Sequence, residues 1–322
     1  MNKAKLKAPF PYFGGKSTVA SLVWSRLGDV PNYVEPFFGS GAMLLARPTR
    51  PKIEAVNDAD HFVSNFWRSI KLSPEATAEA ADWPVNETDL EARHYWLVTE
   101  GKDRLATIMG DPDGHDPKVA GYWAWGMCAW IGGGFCSGTG PWRWNGEAWE
   151  KGEGVGVNRK LPHLGDAGRG INRQRPHLGD AGRGAHILEQ FLELSARLRD
   201  VRVCSGDWAR VTGPTPTTHN GQTGVFLDPP YGDTRKGDLY RTDSLSVYGE
   251  VTEWCLANGD NPGLRIALCG YDGEHELPGW ECIKWKAKGG YGSQGETTGR
   301  DNATRERIWF SPHCINPKKR LL

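Results

Sequence analysis

Residues 34–41 read V-E-P-F-F-G-S-G, and this stretch decides the fold class. Val34 and Glu35 end a strand candidate, and Gly39 and Gly41 then allow a tight turn that opens a helix. A strand that enters such a turn is typical of the ligand-binding edge of an open α/β sheet. Leu44 occupies the third glycine position of the dinucleotide motif G-x-G-x-x-G, so the stretch disfavours NAD.

The sequence on both sides of this turn alternates strand and helix patterns. Strands are predicted at 32–35, 52–56, 201–204, 225–227 and 264–269, and helices at 40–46, 59–71, 186–199 and 244–257. This βαβα order is the mark of a parallel sheet and predicts an α/β fold.

A segment at 73–186 interrupts that pattern. Residues 74–116 hold eleven acidic and three basic residues, whereas residues 151–186 hold seven basic and three acidic ones. The nonapeptide P-H-L-G-D-A-G-R-G occurs at 162–170 and again at 176–184. Two glycine-rich copies are too few for a solenoid and indicate loops or turns. The α/β pattern therefore flanks an insertion.

Composition limits the classes of protein that remain. The 322 residues suffice for about two domains, and 39 basic residues balance 39 acidic ones, so charge alone favours neither nucleic acid nor membrane. No apolar run approaches the roughly 18 residues of a membrane span. The start leads into P-F-P at 9–11, so we expect no signal peptide and a cytoplasmic protein. Seven scattered cysteines without a C-x-x-C pair predict reduced thiols and no metal site.

The tetrapeptide Asp228-Pro229-Pro230-Tyr231 directly follows the apolar strand predicted at 225–227. A polar group at the carboxyl end of a buried parallel strand lies where open α/β sheets bind ligands. The alternative is a simple turn that ends the strand.

Two further residues have open interpretations. Asp58 follows the second predicted strand, where it can accept hydrogen bonds from ribose hydroxyls or cap the next helix. Lys16 ends the stretch P-Y-F-G-G-K at 11–16, which is no phosphate-binding P-loop because Phe10 stands where that motif needs glycine. Lys16 is predicted either to contact a carboxylate or to be an ordinary surface lysine.

The sequence resembles the Dam-like, D12 class adenine-N6 DNA methyltransferases in four elements. In chain order, they are P-Y-F-G-G-K, V-E-P-F-F-G-S-G, N-D and D-P-P-Y. The likeness covers about 190 residues on either side of the insertion. It implies a class I, Rossmann-like methyltransferase sheet with an inserted target-recognition domain, and S-adenosylmethionine as cofactor. It implies no metal.

The resemblance assigns roles to two sets of residues. The implied cofactor-binding residues are Tyr12, Gly14, Lys16, Glu35, Phe37, Gly39, Gly41, Asp58, Asp207 and Asp228. The implied catalytic residues are Asp228, Pro229, Pro230 and Tyr231. The Asp228 carboxylate and the Pro229 carbonyl would accept the hydrogens of an adenine N6 amino group, and Tyr231 would stack on a base flipped out of the duplex.

The domain organisation follows from the same resemblance. Residues 1–72 and 187–315 form the predicted catalytic domain, 73–186 the target-recognition insertion and 316–322 a basic tail. The predicted DNA contacts are Arg169, Arg173, Arg175, Arg183, Arg235, Lys236 and Arg241. The basic repeats can equally be a solvated loop. Six tryptophans at 123–149 can fill a compact core or wedge against bases.

Two other functions stay open at this point. One is methylation of another planar amine, in an RNA adenine or a protein glutamine; glutamine enzymes usually have Asn at the position of Asp228. The other is a catalytically idle DNA-binding protein, which the intact motif at 228–231 disfavours. The recognition sequence and the oligomeric state do not follow from these motifs.

Overall fold

The computed structural model describes residues 6–12, 15–49, 52–111, 113–130, 135–136, 141–145, 147–151, 187–230, 245–285 and 305–316. Two sheets are formed by these residues. The strands are β1 (Asn32–Glu35), β2 (Ile53–Asp58), β3 (Trp142–Trp144), β4 (Trp149–Lys151), β5 (Val201–Ser205), β6 (Thr223–Leu227), β7 (Leu264–Tyr271), β8 (Glu281–Lys284) and β9 (Glu306–Phe310). Strands β3 and β4 pair with each other as a small antiparallel hairpin.

The other seven strands form one sheet in the order β5-β2-β1-β6-β7-β9-β8. Strands β5, β2, β1, β6 and β7 run parallel, while β9 is antiparallel to both of its neighbours. This mostly parallel sheet confirms the predicted α/β class and the Rossmann-like sheet. The order in which successive strands join the sheet reverses between β1 and β6, because β2 lies on one side of β1 and β6 on the other, and this makes a topological switch point there.

The described helices are α1 (Ala20–Leu27), α2 (Ala42–Leu45), α3 (His61–Leu72), α4 (Pro74–Ala81), α5 (Glu87–Trp96), α6 (Lys102–Ile108), α7 (Pro117–Ala129), α8 (Ile187–Leu198) and α9 (Leu245–Asn258). A π-helical turn at Leu97–Gly101 joins α5 to α6. Side chains of Asp60, Asn86 and Asp116 cap the amino ends of α3, α5 and α7. Within the described residues, no helix is long and apolar enough to cross a membrane.

Helices α4 and α7, from the predicted insertion, pack against α3 and α8 beside the sheet. Trp123, Trp125 and Trp130 of this region are buried in the same hydrophobic core as residues of α1 and β1. For these three tryptophans the structure agrees with the core interpretation. Trp144, on the β3–β4 hairpin, is 55% exposed. The division of the chain at residue 73 remains a prediction.

A buried ion pair joins helix α8 to strand β2. The Arg197 guanidinium donates two hydrogen bonds, of 2.6 and 2.7 Å, to the Glu54 carboxylate, and both side chains are at most 10% exposed. Arg197 also donates to the carbonyl of Leu44, at the end of α2. This pair fixes the returning chain to the sheet after the long interruption.

We expect Arg197→Ala to lower the free energy of unfolding by about 3 kcal/mol, because it leaves the buried Glu54 carboxylate without its bidentate partner. Urea denaturation measures this loss. Arg104→Ala is the control, since Arg104 is 46% exposed and its pair with Glu100 lies on a helix surface. Equal stability losses in the two variants would contradict the structural role given to the buried pair.

Candidate active site

Four neighbouring parallel strands end side by side, and an acidic residue lies at or just after each carboxyl end. Across the sheet these residues are Asp207 after β5, Asp58 at the end of β2, Glu35 at the end of β1 and Asp228 after β6. Ligands of open α/β sheets bind outside such strand ends, next to the switch point. A pocket opens here and is lined by all four residues.

The turn after β1 is held by Asp58 of the neighbouring strand. Gly39 has a φ of +48°, and its N–H donates a 2.8 Å hydrogen bond to Asp58 Oδ2. A Cβ at Gly39 would lie 2.7 Å from the Tyr12 ring. Both this close contact and the positive φ therefore require glycine at position 39. The other oxygen, Asp58 Oδ1, accepts the N–H of Asp60 at 2.9 Å.

The helix-cap interpretation of Asp58 is wrong. Helix α3 is capped by Asp60, whose Oδ1 accepts the Phe62 N–H at 2.8 Å. Burial, reinforced by the nearby charge of Asp60, raises the pKa of Asp58 to about 7 although backbone donors from Gly39 and Asp60 lower it. Asp58 is therefore a pocket carboxyl group that titrates near neutral pH.

An aromatic wall stands at the β5 side of the pocket. Asp207 caps a short 3₁₀ turn, Trp208–Val211, through a 2.8 Å hydrogen bond from the Ala209 N–H. The Trp208 ring then stacks on Phe37, with centroids 6.1 Å apart and planes inclined by 26°. Both rings line the pocket, so this side offers an apolar surface for a planar ligand.

At the centre of the row, Glu35 is 2% exposed and accepts a 2.9 Å hydrogen bond from the Tyr33 hydroxyl. Burial raises the pKa of Glu35 well above its usual value, the Tyr33 hydrogen bond opposes that rise, and the negative charge of Asp228 adds to it. Tyr33 and Glu35 are two apart on β1, so their side chains share one face of the sheet.

The Lys16 ammonium group forms an ion pair with Asp228. Its Nζ lies 2.9 Å from Asp228 Oδ1, and the side chain of Lys16 is 4% exposed. Nζ also lies 5.7 Å from the centroid of the Trp285 ring. Burial alone would lower the pKa of Lys16, but the carboxylates of Asp228 and Glu306 outweigh it and the pKa is raised. The predicted contact of Lys16 with a carboxylate is thus made with the acid of the D-P-P-Y motif.

The pocket brings together eight of the ten residues that the resemblance assigns to the cofactor: Tyr12, Lys16, Glu35, Phe37, Gly39, Asp58, Asp207 and Asp228. Gly41 does not line it. Gly41 has a φ of +70° and precedes α2, where a Cβ would meet Trp67 and Phe38 at about 3 Å. Of the predicted catalytic residues, Asp228 and Pro230 line the pocket, and Pro229 lies between them in the chain.

The remaining predicted site residues lie outside the described residues and stay predictions. They are Gly14, Tyr231, Arg169, Arg173, Arg175, Arg183, Arg235, Lys236 and Arg241. Arg307, on strand β9, donates to both oxygens of Asp272, so its charge is already paired within the protein. Among the described residues, no cluster of His, Cys, Asp and Glu has the arrangement of a metal site.

Sequence reasoning missed several residues that line the pocket. Asn57 and Trp208 each adjoin a predicted acid, and their position next to Asp58 and Asp207 was an available signal. The apolar side chains of Met43, Phe226 and Val247 also line the pocket, but no local motif marks them.

Comparison with known proteins tests the resemblance. No curated protein matches the chain significantly. Residues 12–108 match the model of the family described as D12 class N6 adenine-specific DNA methyltransferase. The matched segment covers Tyr12, Lys16, the glycine turn and Asp58, and it continues into the predicted insertion as far as Ile108, the last residue of α6. This match confirms the predicted resemblance: residues 12–108 are similar to the D12 class of adenine-specific DNA methyltransferases, and the match indicates an enzyme of this kind.

Proposed function

We propose that this enzyme transfers the methyl group of S-adenosylmethionine to the N6 amino group of an adenine flipped out of DNA. DNA adenine methylation is the activity of the matched family. The observation that carries the finer proposal is the ion pair between the buried Lys16 and the half-buried Asp228 in the switch-point pocket.

The residues of the pocket suit S-adenosylmethionine. Asp58 and Asp207 are hydrogen-bond acceptors for hydroxyl and amino groups, and Phe37 and Trp208 form an apolar wall for a purine ring. The row of carboxylates favours a ligand with positive charge, such as a sulfonium or an ammonium group. Asp58 would hold the ribose, while the end near Asp228 would receive the methionine part with its reactive methyl.

When bound, this cofactor supplies an electrophilic methyl group, which leaves its sulfonium as the neutral thioether forms. The N6 nitrogen is a poor nucleophile because its lone pair delocalises into the adenine ring. The Asp228 carboxylate and the Pro229 carbonyl would accept the two N6 hydrogens and favour a pyramidal nitrogen whose lone pair faces the methyl. Nitrogen would form the new bond to carbon as the carbon–sulfur bond breaks, and the Asp228 carboxylate would take up the proton that nitrogen then loses and pass it to solvent.

Lys16 has a separate task in this proposal. Its ammonium group at 2.9 Å stabilises the ionised form of Asp228, the form that accepts the N6 hydrogens. The two consecutive prolines restrict the backbone on which the second acceptor lies, so both acceptors are set before substrate binds. Tyr231 is proposed to stack on the flipped base.

DNA would be held by basic residues of two segments of the chain, 169–183 and 235–241. The proposed phosphate contacts are Arg169, Arg173, Arg175, Arg183, Arg235, Lys236 and Arg241. These contacts rest on charge and sequence position alone. They give no recognition sequence, because phosphate contacts carry no base information.

The first test removes the proposed acceptor. Asp228→Ala should reduce methyl transfer at least about 100-fold, the usual effect of losing one preorganised polar contact. Asp228→Asn keeps the size of the side chain and should be similarly inactive, because the amide cannot replace the carboxylate beside Lys16. Incorporation of a labelled methyl group into DNA, followed by nucleoside mass spectrometry, measures the rate and identifies N6-methyladenine.

The control is Asp260→Ala, which removes a fully exposed carboxylate on the loop after α9 and should leave the rate unchanged. A folded Asp228→Asn enzyme with near-normal turnover would overturn the catalytic assignment. A methylated RNA or glutamine product with unmethylated DNA would favour the other planar amines.

The second test concerns the ribose. Asp58→Ala should weaken binding of S-adenosylmethionine by about 1.5–3 kcal/mol, the range for hydrogen bonds to a charged group. Because the pKa of Asp58 is about 7 and the carboxylate form accepts ribose hydroxyls, affinity should fall as the pH drops through 7. For 5′-methylthioadenosine, which lacks the titrating amino acid group, calorimetry should give binding about tenfold weaker at pH 6 than at pH 8.

Asp60→Ser provides the matched control for this pH dependence. Serine still caps α3 but removes the charge that helps raise the pKa of Asp58, so the pH midpoint should move to lower pH. Wild-type affinity that does not change between pH 6 and pH 8 would contradict the ribose assignment.

A further inference from the structure

The side chain of Asn57 spans the floor of the pocket. It is 1% exposed and lies on β2, between the strand ends of β1 and β5. Its Nδ2 donates to the carbonyl of Pro36 at 3.1 Å and to the carbonyl of Gly206 at 2.9 Å. These two carbonyls belong to the loops on opposite sides of β2, so one amide group joins both loops.

The backbone of β2 reinforces the same two connections. The Phe38 N–H donates to the carbonyl of Asn57 at 2.9 Å, and the Gly206 N–H donates to the carbonyl of Asp58 at 3.1 Å. Each loop is therefore tied to β2 once through the backbone and once through the Asn57 side chain. The backbone ties form with any residue at position 57, whereas the side-chain ties need a group with two N–H donors on one nitrogen.

Asparagine is the side chain of this length that meets that need. Aspartate presents only acceptors to the two carbonyls when ionised, and serine has one donor. The Oδ1 atom of Asn57 is buried and has no hydrogen-bond partner within the part of the chain that the structure describes. The amide orientation is therefore fixed by the two carbonyls that Nδ2 serves.

The two joined loops carry the walls of the pocket. Pro36 precedes Phe37 and the Gly39 turn, while Gly206 precedes Asp207 and Trp208. The stacked rings of Phe37 and Trp208 stand on these loops, and their separation depends on how far apart the loops are held. Asn57 itself lines the pocket beneath them.

We propose that Asn57 is a positioning residue that sets the spacing of the two loops and thereby the fit of the cofactor's nucleoside. This inference rests on the proposed function, which assigns the pocket to S-adenosylmethionine. Asn57 acts through Pro36 and Gly206 and takes no part in methyl transfer. Its loss should therefore weaken cofactor binding and leave the chemical step and the DNA affinity nearly unchanged.

The test compares Asn57→Ser with wild type. The dissociation constants of S-adenosylmethionine and of 5′-methylthioadenosine, measured by calorimetry, should both rise about tenfold, since one carbonyl loses its donor and the loops separate. The KM for S-adenosylmethionine should rise by a similar factor. With the cofactor saturating, kcat and the KM for DNA should stay within about threefold of wild type.

Asn65→Ser is the matched control. Asn65 is also a fully buried asparagine, and its amide bonds the backbone of Asp116 at 3.0 and 2.8 Å, away from the pocket. It should lower the melting temperature, as Asn57→Ser does, without changing cofactor affinity. If Asn57→Ser does not fold, Asn57→Thr and Asn65→Thr provide the same comparison.

The outcomes separate this inference from the function on which it rests. Wild-type protein that does not bind S-adenosylmethionine would refute the proposed function. Wild-type binding with an unchanged dissociation constant in Asn57→Ser would refute the role of Asn57 alone. Equal losses of affinity in the Asn57 and Asn65 variants would show general destabilisation and would also refute the positioning role.

Discussion

The crowding of four carboxyl groups at the ends of adjacent strands is the constraint on which this site depends. The parallel order β5-β2-β1-β6 brings Asp207, Asp58, Glu35 and Asp228 to adjacent strand ends. Carboxylates so close together are costly to ionise unless hydrogen bonds or cations compensate them. Three kinds of partner compensate them: the Tyr33 hydroxyl for Glu35, backbone N–H groups for Asp58 and Asp207, and the Lys16 ammonium group for Asp228.

Together with burial, these partners give three of the acids, Glu35, Asp58 and Asp228, different chemistry. The pKa of Glu35 is raised well above its usual value and that of Asp58 to about 7, both chiefly by burial, whereas Asp228 faces a buried ammonium group. The row therefore contains carboxyl groups that can release protons when a ligand binds, next to one that the ion pair favours as a carboxylate. In the proposed function, such a combination suits a cationic cofactor whose methyl group meets a neutral amine nucleophile beside the ionised carboxylate.

The sequence allowed the motif-bearing strand ends to be predicted because each lies directly after an apolar strand. Gly39, Asp58 and Asp228 were identified in this way. The pairing of Lys16 with Asp228 and the two contacts of Asn57 join residues far apart in the chain, so only the strand order reveals them. Helix α7 had no clear pattern, since Gly121 weakens helix propensity. A Cβ added at position 121 would lie 2.4 Å from the Cβ of Ala80 on α4, so the packing of α7 against α4 requires glycine there.

The antiparallel edge of the sheet was also missed. Strands β8 and β9 are short, and β9 enters the sheet between β7 and β8, an arrangement that no local pattern indicates. The Lys16 side chain depends on this edge, because Trp285 follows β8 and Glu306 begins β9. The ion pair of Asp228 in the D-P-P-Y motif therefore depends on strands β8 and β9, which the motif itself does not predict.

The central claim is that the nucleoside lies across Asp58 and the reactive methyl reaches Asp228. A crystal structure with sinefungin, an unreactive analogue that has an amine in place of the methylsulfonium, tests it most directly. The account predicts ribose hydroxyls bonded to Asp58, the purine against Phe37 and Trp208, and the analogue's amine directed towards Asp228. An analogue bound elsewhere, or bound in this pocket with its ribose away from Asp58 and its amine away from Asp228, would contradict the account.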